Sequence, residues 1–275
     1  MRVLLLGPIE VLVAGSSADL SGKYQRALVA ILASAPGKLI PAERLIDGLW
    51  GEHPPTSART KLQGHISALR NKFGRQNGWP IQTCDPGYLL GEAGVSTDLA
   101  DYRELRELAG HALSAGRYAA ASDHLAEALE LWRGPAYAGA SSSFVLGAMA
   151  DALEQDRMLA TERKAVCDLR LCRYDEVIAA LTFALAAHPL RDGMRGILML
   201  AQYRDGCRAE ALQVYMQGYR LSREQVGIDP CRELQALHRL ILCDDPILMT
   251  SEAMGLLPGA AAAMVAGPGG PATAS

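Results

Sequence analysis

The segment Thr56 to Phe73 constrains this chain more than any other stretch, because it carries two incompatible faces. At about 100° per residue, Ala58, Leu62, Ile66, Leu69 and Phe73 fall on one side of a helix. Thr60, Gly64, Ser67 and Asn71 fall opposite them. Gln63 and Arg70 flank the polar stripe on one edge, and Lys61 and Lys72 on the other. The apolar side demands a core to pack on. The other side is small, neutral and hydrogen-bonding. Short side chains there let a helix approach base edges in a major groove, and flanking cations reach phosphates. No acidic residue occurs from Thr56 to Trp79. A plain solvated helix usually mixes charge signs, so the stripe tips the reading toward DNA without settling it.

The surroundings of this helix fix its context. Val3 to Leu6 and Ile9 to Val13 are short apolar runs around Gly7-Pro8 and read as strands, with Ala14 to Leu20 turning to continue a small sheet. Lys23 to Ala35 has helical spacing and stops at Pro36-Gly37. Pro41 stands where a first helical residue belongs, and AERLIDGLW then buries Leu45, Ile46, Leu49 and Trp50. Thr56 or Ser57 is the expected N-cap of the two-faced helix. After Gly74, RQNGWP is a turn. Ile81 to Thr83 and Tyr88 to Leu90 are strands around Asp85-Pro86-Gly87. A small sheet, three helices and a hairpin, in that order, make a winged helix.

From Thr97 the period is helical almost throughout. RYDEVIAALTFAL, from Arg173, aligns with CRAEALQVYMQGY, from Cys207, at an offset of 34 residues. GRYAAASDHLAEAL, from Gly116, repeats the pattern. Thirty-four residues is the tetratricopeptide period, in which each helix hairpin buries its face only by stacking on a neighbour. Ser251 to Ser275 is rich in Ala, Gly and Pro with Glu252 as its one charge, and reads as a disordered tail. The expected fold is therefore mainly α with a small β component. Residues 1–94 form the winged helix-turn-helix domain, 95–250 the tetratricopeptide-like all-α domain and 251–275 the tail.

The net charge of -3 argues against nucleic acid until it is divided. Residues 1–96 hold 10 Lys+Arg against 7 Asp+Glu, and the remainder is acidic. A basic domain beside an acidic one fits a DNA binder with a separate interaction module. The six cysteines form no Cys-x-x-Cys pair and sit in apolar helical patterns, so they read as small core residues in a reducing cytoplasm. No metal site or cofactor is expected. No nucleophile elbow or phosphate loop occurs, no two histidines pair at helical spacing, and catalysis has little support. His65, beside the core stripe, reads as a packing or capping residue and not as a ligand. The amino-terminal apolar stretch is broken by Gly7, Pro8 and Glu10, so no signal peptide is expected, and no apolar run is long enough to span a membrane.

These residues also carry a resemblance. LLGPIEV, the run from Lys23 to Gly74 and PGYLL resemble the amino-terminal half of the Streptomyces antibiotic regulatory protein (SARP) family. ALELWRGPAYAG and the run from His188 to Leu242 resemble that family's bacterial transcriptional activator domain. The resemblance covers roughly Val3 to Asp245. It implies an OmpR-type winged helix followed by a tetratricopeptide-like domain. It further implies a transcriptional activator of a secondary-metabolite gene cluster, acting in the cytoplasm at the nucleoid. Such a protein binds double-stranded DNA at direct repeats near the promoter's -35 element, as a head-to-tail homodimer, and contacts RNA polymerase with its sigma factor.

Carried onto this chain, the resemblance makes Thr60, Gln63, Gly64, Ser67 and Asn71 base-facing. Arg59, Lys61, Arg70, Lys72 and Arg75 would sit at phosphates, with Lys23 and Arg26 as weaker candidates. Two departures stand out. The hairpin's usual arginine is Cys84 here, followed by Asp85, and no Lys or Arg lies between Trp79 and Gly91, so weak groove reading by the wing is expected. Gly64 costs its helix roughly 1 kcal/mol relative to alanine. No receiver domain is seen before the winged helix, so aspartyl phosphorylation in cis is not expected. Two other classes of function stay open: a protein-interaction scaffold using the helix hairpins, and a ligand-gated regulator.

Overall fold

The computed structural model describes residues 1–20, 22–74, 80–140 and 144–259. The chain divides into two compact units. One comprises Met1–Glu104 with Ala128–Arg157; the other comprises Leu105–Glu127 and the residues from Met158 onward.

In the first unit, β1 (Arg2–Leu4), β2 (Glu10–Val13) and β3 (Ser16–Ser17) form an antiparallel meander, and β7 (Ser96–Thr97) adds in parallel to β1. Three helices follow the meander: α1 (Lys23–Ala33), α2 (Ala42–Trp50) and α3 (Ala58–Phe73). A second sheet has the order β4-β6-β5, with β4 at Ile40–Pro41, β5 at Ile81–Cys84 and β6 at Gly87–Leu90. The winged helix expected from the order of elements is present. Strand β4 was not legible, because a two-residue strand has no period of its own. It changes the role of Pro41, which pairs with Gly87 and is the N-cap of α2, not its first helical residue. Gly87 is required by that pairing: a Cβ there would lie 2.0 Å from the Ile40 carbonyl oxygen. Ile46 and Trp50 are only half-buried, while Leu45 and Leu49 are sealed in the core.

Two stretches quoted above for their sequence pattern meet inside this unit. Arg133 N–H donates to the Leu6 carbonyl (2.8 Å), Tyr137 N–H to Leu5 (3.0 Å) and Ala138 N–H to Gly7 (3.0 Å), while Ile9 N–H donates to Ala138 (3.2 Å). From the other side the Asp98 carboxylate accepts Leu5 N–H at 2.7 Å and Leu6 N–H at 3.0 Å. LLGPI thus satisfies its backbone against WRGPAYA and the start of α4 (Asp98–Ser114). Thr97 caps that helix by accepting Ala100 N–H at 2.9 Å.

The helical half continues with α5 (Tyr118–Glu130), α6 (Phe144–Arg170), α7 (Tyr174–Ala187), α8 (Asp192–Arg204), α9 (Arg208–Gln225) and α10 (Arg232–Cys243). The repeat appears as one turn made three times in the second unit. Gly116, Cys172 and Gly206 each end a helix with positive φ, of 69°, 59° and 83°. The residue after each donates its N–H to a carbonyl five positions back: Arg117 to Ala112, Arg173 to Asp168 and Cys207 to Gln202, at 2.8 to 2.9 Å. This is the Schellman helix stop. The 34-residue offset separates the last two turns, and the long α6 lies before them.

Two expectations need correction. Residues 251–259 are not a loose tail. Pro246–Met249 and Ser251–Leu256 form 3-10 turns, and Leu248, Ala253, Met254 and Leu257 are buried in the second unit's core. Arg204 clasps them, donating to the carbonyls of Leu248 (2.9 Å) and Thr250 (2.5 Å). Overall composition hid a local apolar cluster. The rest of the expected tail, 260–275, lies outside the described residues. Nor are the cysteines core residues as a group: of six free thiols only Cys167 is buried, and Cys172 and Cys243 are exposed. Burial, and after it the neighbouring Asp168, push the Cys167 thiol up to about 12, which leaves it unreactive.

Candidate nucleic-acid interface

Helix α3 is built as its two faces require. Its buried residues are Ala58, Leu62, Ile66, Leu69 and Phe73, the apolar stripe in full. Ser57 is its N-cap, through the backbone alone. At 16 residues it is about 24 Å long. Thr60, Gln63, Gly64, Ser67 and Asn71 are all exposed. Nothing lies within 4 Å of a Cβ added at Gly64, so packing inside the chain does not require glycine there.

The cations divide into free and committed ones. Lys61 is exposed and makes no ion pair or hydrogen bond among the described residues. Lys23 is exposed, 5.2 Å from the centre of the Tyr24 ring. Arg59 pairs with Glu43 across open solvent. Backbone hydrogen bonding, then Arg59, hold the Glu43 carboxyl below its ordinary range. Arg26 is occupied by the carbonyls of Gly139 (2.5 Å) and Leu20 (3.0 Å). Lys72 reaches back to the Asp19 carbonyl (2.6 Å) and Gln25 Oε1 (3.1 Å), tying the end of α3 to the first turn of α1 and the segment before it. Arg75 lies outside the described residues.

Arg70 has a role the sequence did not reveal. Its Nε donates to the Ile81 carbonyl at 2.9 Å, and its terminal nitrogen donates to Thr83 Oγ1 at 2.7 Å. The guanidinium therefore lies along β5, on the wing. The hairpin that lacks any Lys or Arg of its own receives one from the helix. Beside it Gln82, Thr83 and Asp85 are exposed. The signal for this pairing is a half-exposed arginine in the last turn of α3, whose partner is visible only once the sheet is placed.

His65 packs as expected. Its ring lies 5.9 Å from Tyr24 and 6.4 Å from Trp50, making an aromatic cluster under the helix. Burial, and after it Lys61, lower its pKa, so the neutral ring is favoured. Among the described residues no cluster of His, Cys, Asp or Glu could hold a metal ion, and no helix is long and apolar enough to cross a membrane.

Comparison with known proteins matches two family profiles to this chain. Residues 16–90 match the family described as transcriptional regulatory protein, C terminal, and residues 97–242 match the bacterial transcriptional activator domain. Regulatory protein DnrI of Streptomyces peucetius is 30% identical over 254 residues, covering 90% of this chain and 93% of its own length. Regulatory protein AfsR of Streptomyces coelicolor is 36% identical over 257 residues, again 90% of this chain, which spans only 25% of that relative. Among solved structures, Mycobacterium tuberculosis EmbR, in complex with a low affinity phosphopeptide, superposes with a TM-score of 0.82 at 30% identity. That match covers 89% of this chain and 65% of the other.

Proposed function

Since the chain belongs to the family of regulators that join an OmpR-type winged helix to the bacterial transcriptional activator domain, we propose that it activates a secondary-metabolite gene cluster by reading direct repeats near the -35 element and holding RNA polymerase there. That it is a DNA-binding transcriptional regulator and not an enzyme follows from the family itself. The finer reading rests on one observation: the open, neutral face of α3, with Thr60, Gln63, Gly64, Ser67 and Asn71 exposed together beside a free Lys61. Amide and hydroxyl groups in that pattern read base edges. Lys61 and Lys23 neutralise phosphates, and Arg70 brings charge to the wing, where the minor groove would lie.

In this reading residues 1–94 touch DNA and 95–250 serve partners. Two protomers in tandem would read same-orientation sites, whereas a two-fold dimer would read a palindrome. Modest contacts to DNA and to polymerase with its sigma factor then add through effective concentration.

The test is to incubate the full chain with sheared genomic DNA near physiological salt and sequence what is retained. Tandem repeats upstream of a biosynthetic cluster are expected. With the enriched site in hand, Lys61→Ala should weaken binding to all sequences and reduce the slope of log affinity against log salt by about one. Retention without sequence preference, abolished by salt, would defeat the reading.

A further inference from the structure

The second unit carries a groove that DNA reading does not use. It lies over α8 between α7 and α9, has a volume of about 500 Å³, and opens to solvent. α7 and α9 carry the two copies of the repeat that are offset by 34 residues, so the groove runs between successive second helices of the hairpins.

Its chemistry is that of amides over an apolar floor. Leu185, Leu198 and Val214 make the floor. Gln213 and Gln217 stand exposed on α9, four residues and therefore about 6 Å apart. Alternate peptide groups of an extended chain repeat at about 6.6 Å. Gln202, on α8, also lines the groove, and its buried Oε1 has no hydrogen-bond partner among the described residues. Arg195 is 4% exposed in the same wall. It is held by the carbonyls of Val214 (2.9 Å) and Pro189 (2.5 Å), with its Nε–H unmatched among the described residues. Among the described residues Glu210 is the one acidic residue lining the groove, at the α9 N-terminal end.

We propose that this groove binds an extended peptide segment of a partner protein, with Gln213 and Gln217 bonding its backbone and the floor taking short apolar side chains. Each glutamine offers both a donor and an acceptor, which matches a peptide group and not a phosphate or an aromatic ligand. An entering N–H would supply the donor Gln202 lacks. Glu210 would favour a basic residue at its end. Along α9 from Glu210 to Leu221 the groove is about 16 Å long, room for about five extended residues.

The probe is a phage-displayed library of random dodecapeptides, selected on the full chain alone and then titrated against both the full chain and the Gln213→Ala/Gln217→Ala variant. Alanine suits exposed helix positions, so the variant should keep its melting temperature and its DNA retention. Enriched peptides should bind the full chain and bind the variant roughly tenfold more weakly. The side-chain amide resonances of Gln213 and Gln217 should shift on binding. No enrichment, or equal binding to the variant, overturns the proposal. So does an apolar dye such as anilinonaphthalene sulfonate that occupies the groove and that no selected peptide displaces. DNA retention is read separately, so loss of peptide binding and loss of DNA binding cannot be confused.

Discussion

Cys172 occupies a position that its two counterparts give to glycine. Its φ of 59° puts it in the left-handed region, which costs a non-glycine residue roughly 1 kcal/mol. Gly116 and Gly206 make the same turn without that cost. Cys172→Gly should therefore raise unfolding stability by about 0.5 to 1 kcal/mol, the gain trimmed by the greater freedom of glycine in the unfolded chain. A denaturant midpoint that falls in this variant would show that the Cys172 side chain contributes more than its backbone loses. Gly64 poses the opposite question, because open space surrounds it. Gly64→Ala should stabilise the protein by up to about 1 kcal/mol. If the helix backbone approaches DNA at this point, the same methyl should weaken specific binding. Calorimetry and a binding titration on one variant read both signs, and tighter binding would remove Gly64 from the base-facing set.

At the scale of elements, Arg70 joins helix and wing. A charged donor bonding both a backbone carbonyl and Thr83 is worth about 1 kcal/mol at a half-exposed site. Arg70→Ala should speed amide exchange in β5 and weaken DNA binding while leaving α3 protected. Unchanged exchange at Ile81 to Thr83 would show that the strand pairing with β6 holds the wing unaided. How far such coupling was legible differs by element. The faces of α3 were readable because a 3.6-residue period over 16 residues sorts every side chain without tertiary information. The committed cations were not, because a guanidinium's partner is set by where β5 lands. Strand β4 and the buried Ala253 to Leu257 run were missed for one reason: short segments take their structure from neighbours distant in sequence.

At the scale of the whole molecule, compactness and sequence family divide the chain at different places. The family profiles meet between residues 90 and 97, yet the first compact unit keeps 95–104 and 128–157 with the winged helix. The reason is the backbone of Leu5 to Ile9. Without Asp98, Arg133, Tyr137 and Ala138, the amides of Leu5, Leu6 and Ile9 and the carbonyls of Leu5, Leu6 and Gly7 lose their partners. Leu5 and Leu6 are fully buried in the intact chain and would be uncovered as well. A fragment ending at residue 94 should therefore be less stable than one ending at 157 by several kcal/mol, since each buried group left unpaired costs about 1 to 3 kcal/mol and water recovers part of it. Asp98→Ala in the full chain should reproduce a share of that loss. Its carboxyl sits above the ordinary range, chiefly through burial, and so already bears a cost for staying ionised. Urea melts of the two fragments decide the point. Equal midpoints would mean that the winged helix stands alone, and that the WRGPAYA contact serves something other than its stability.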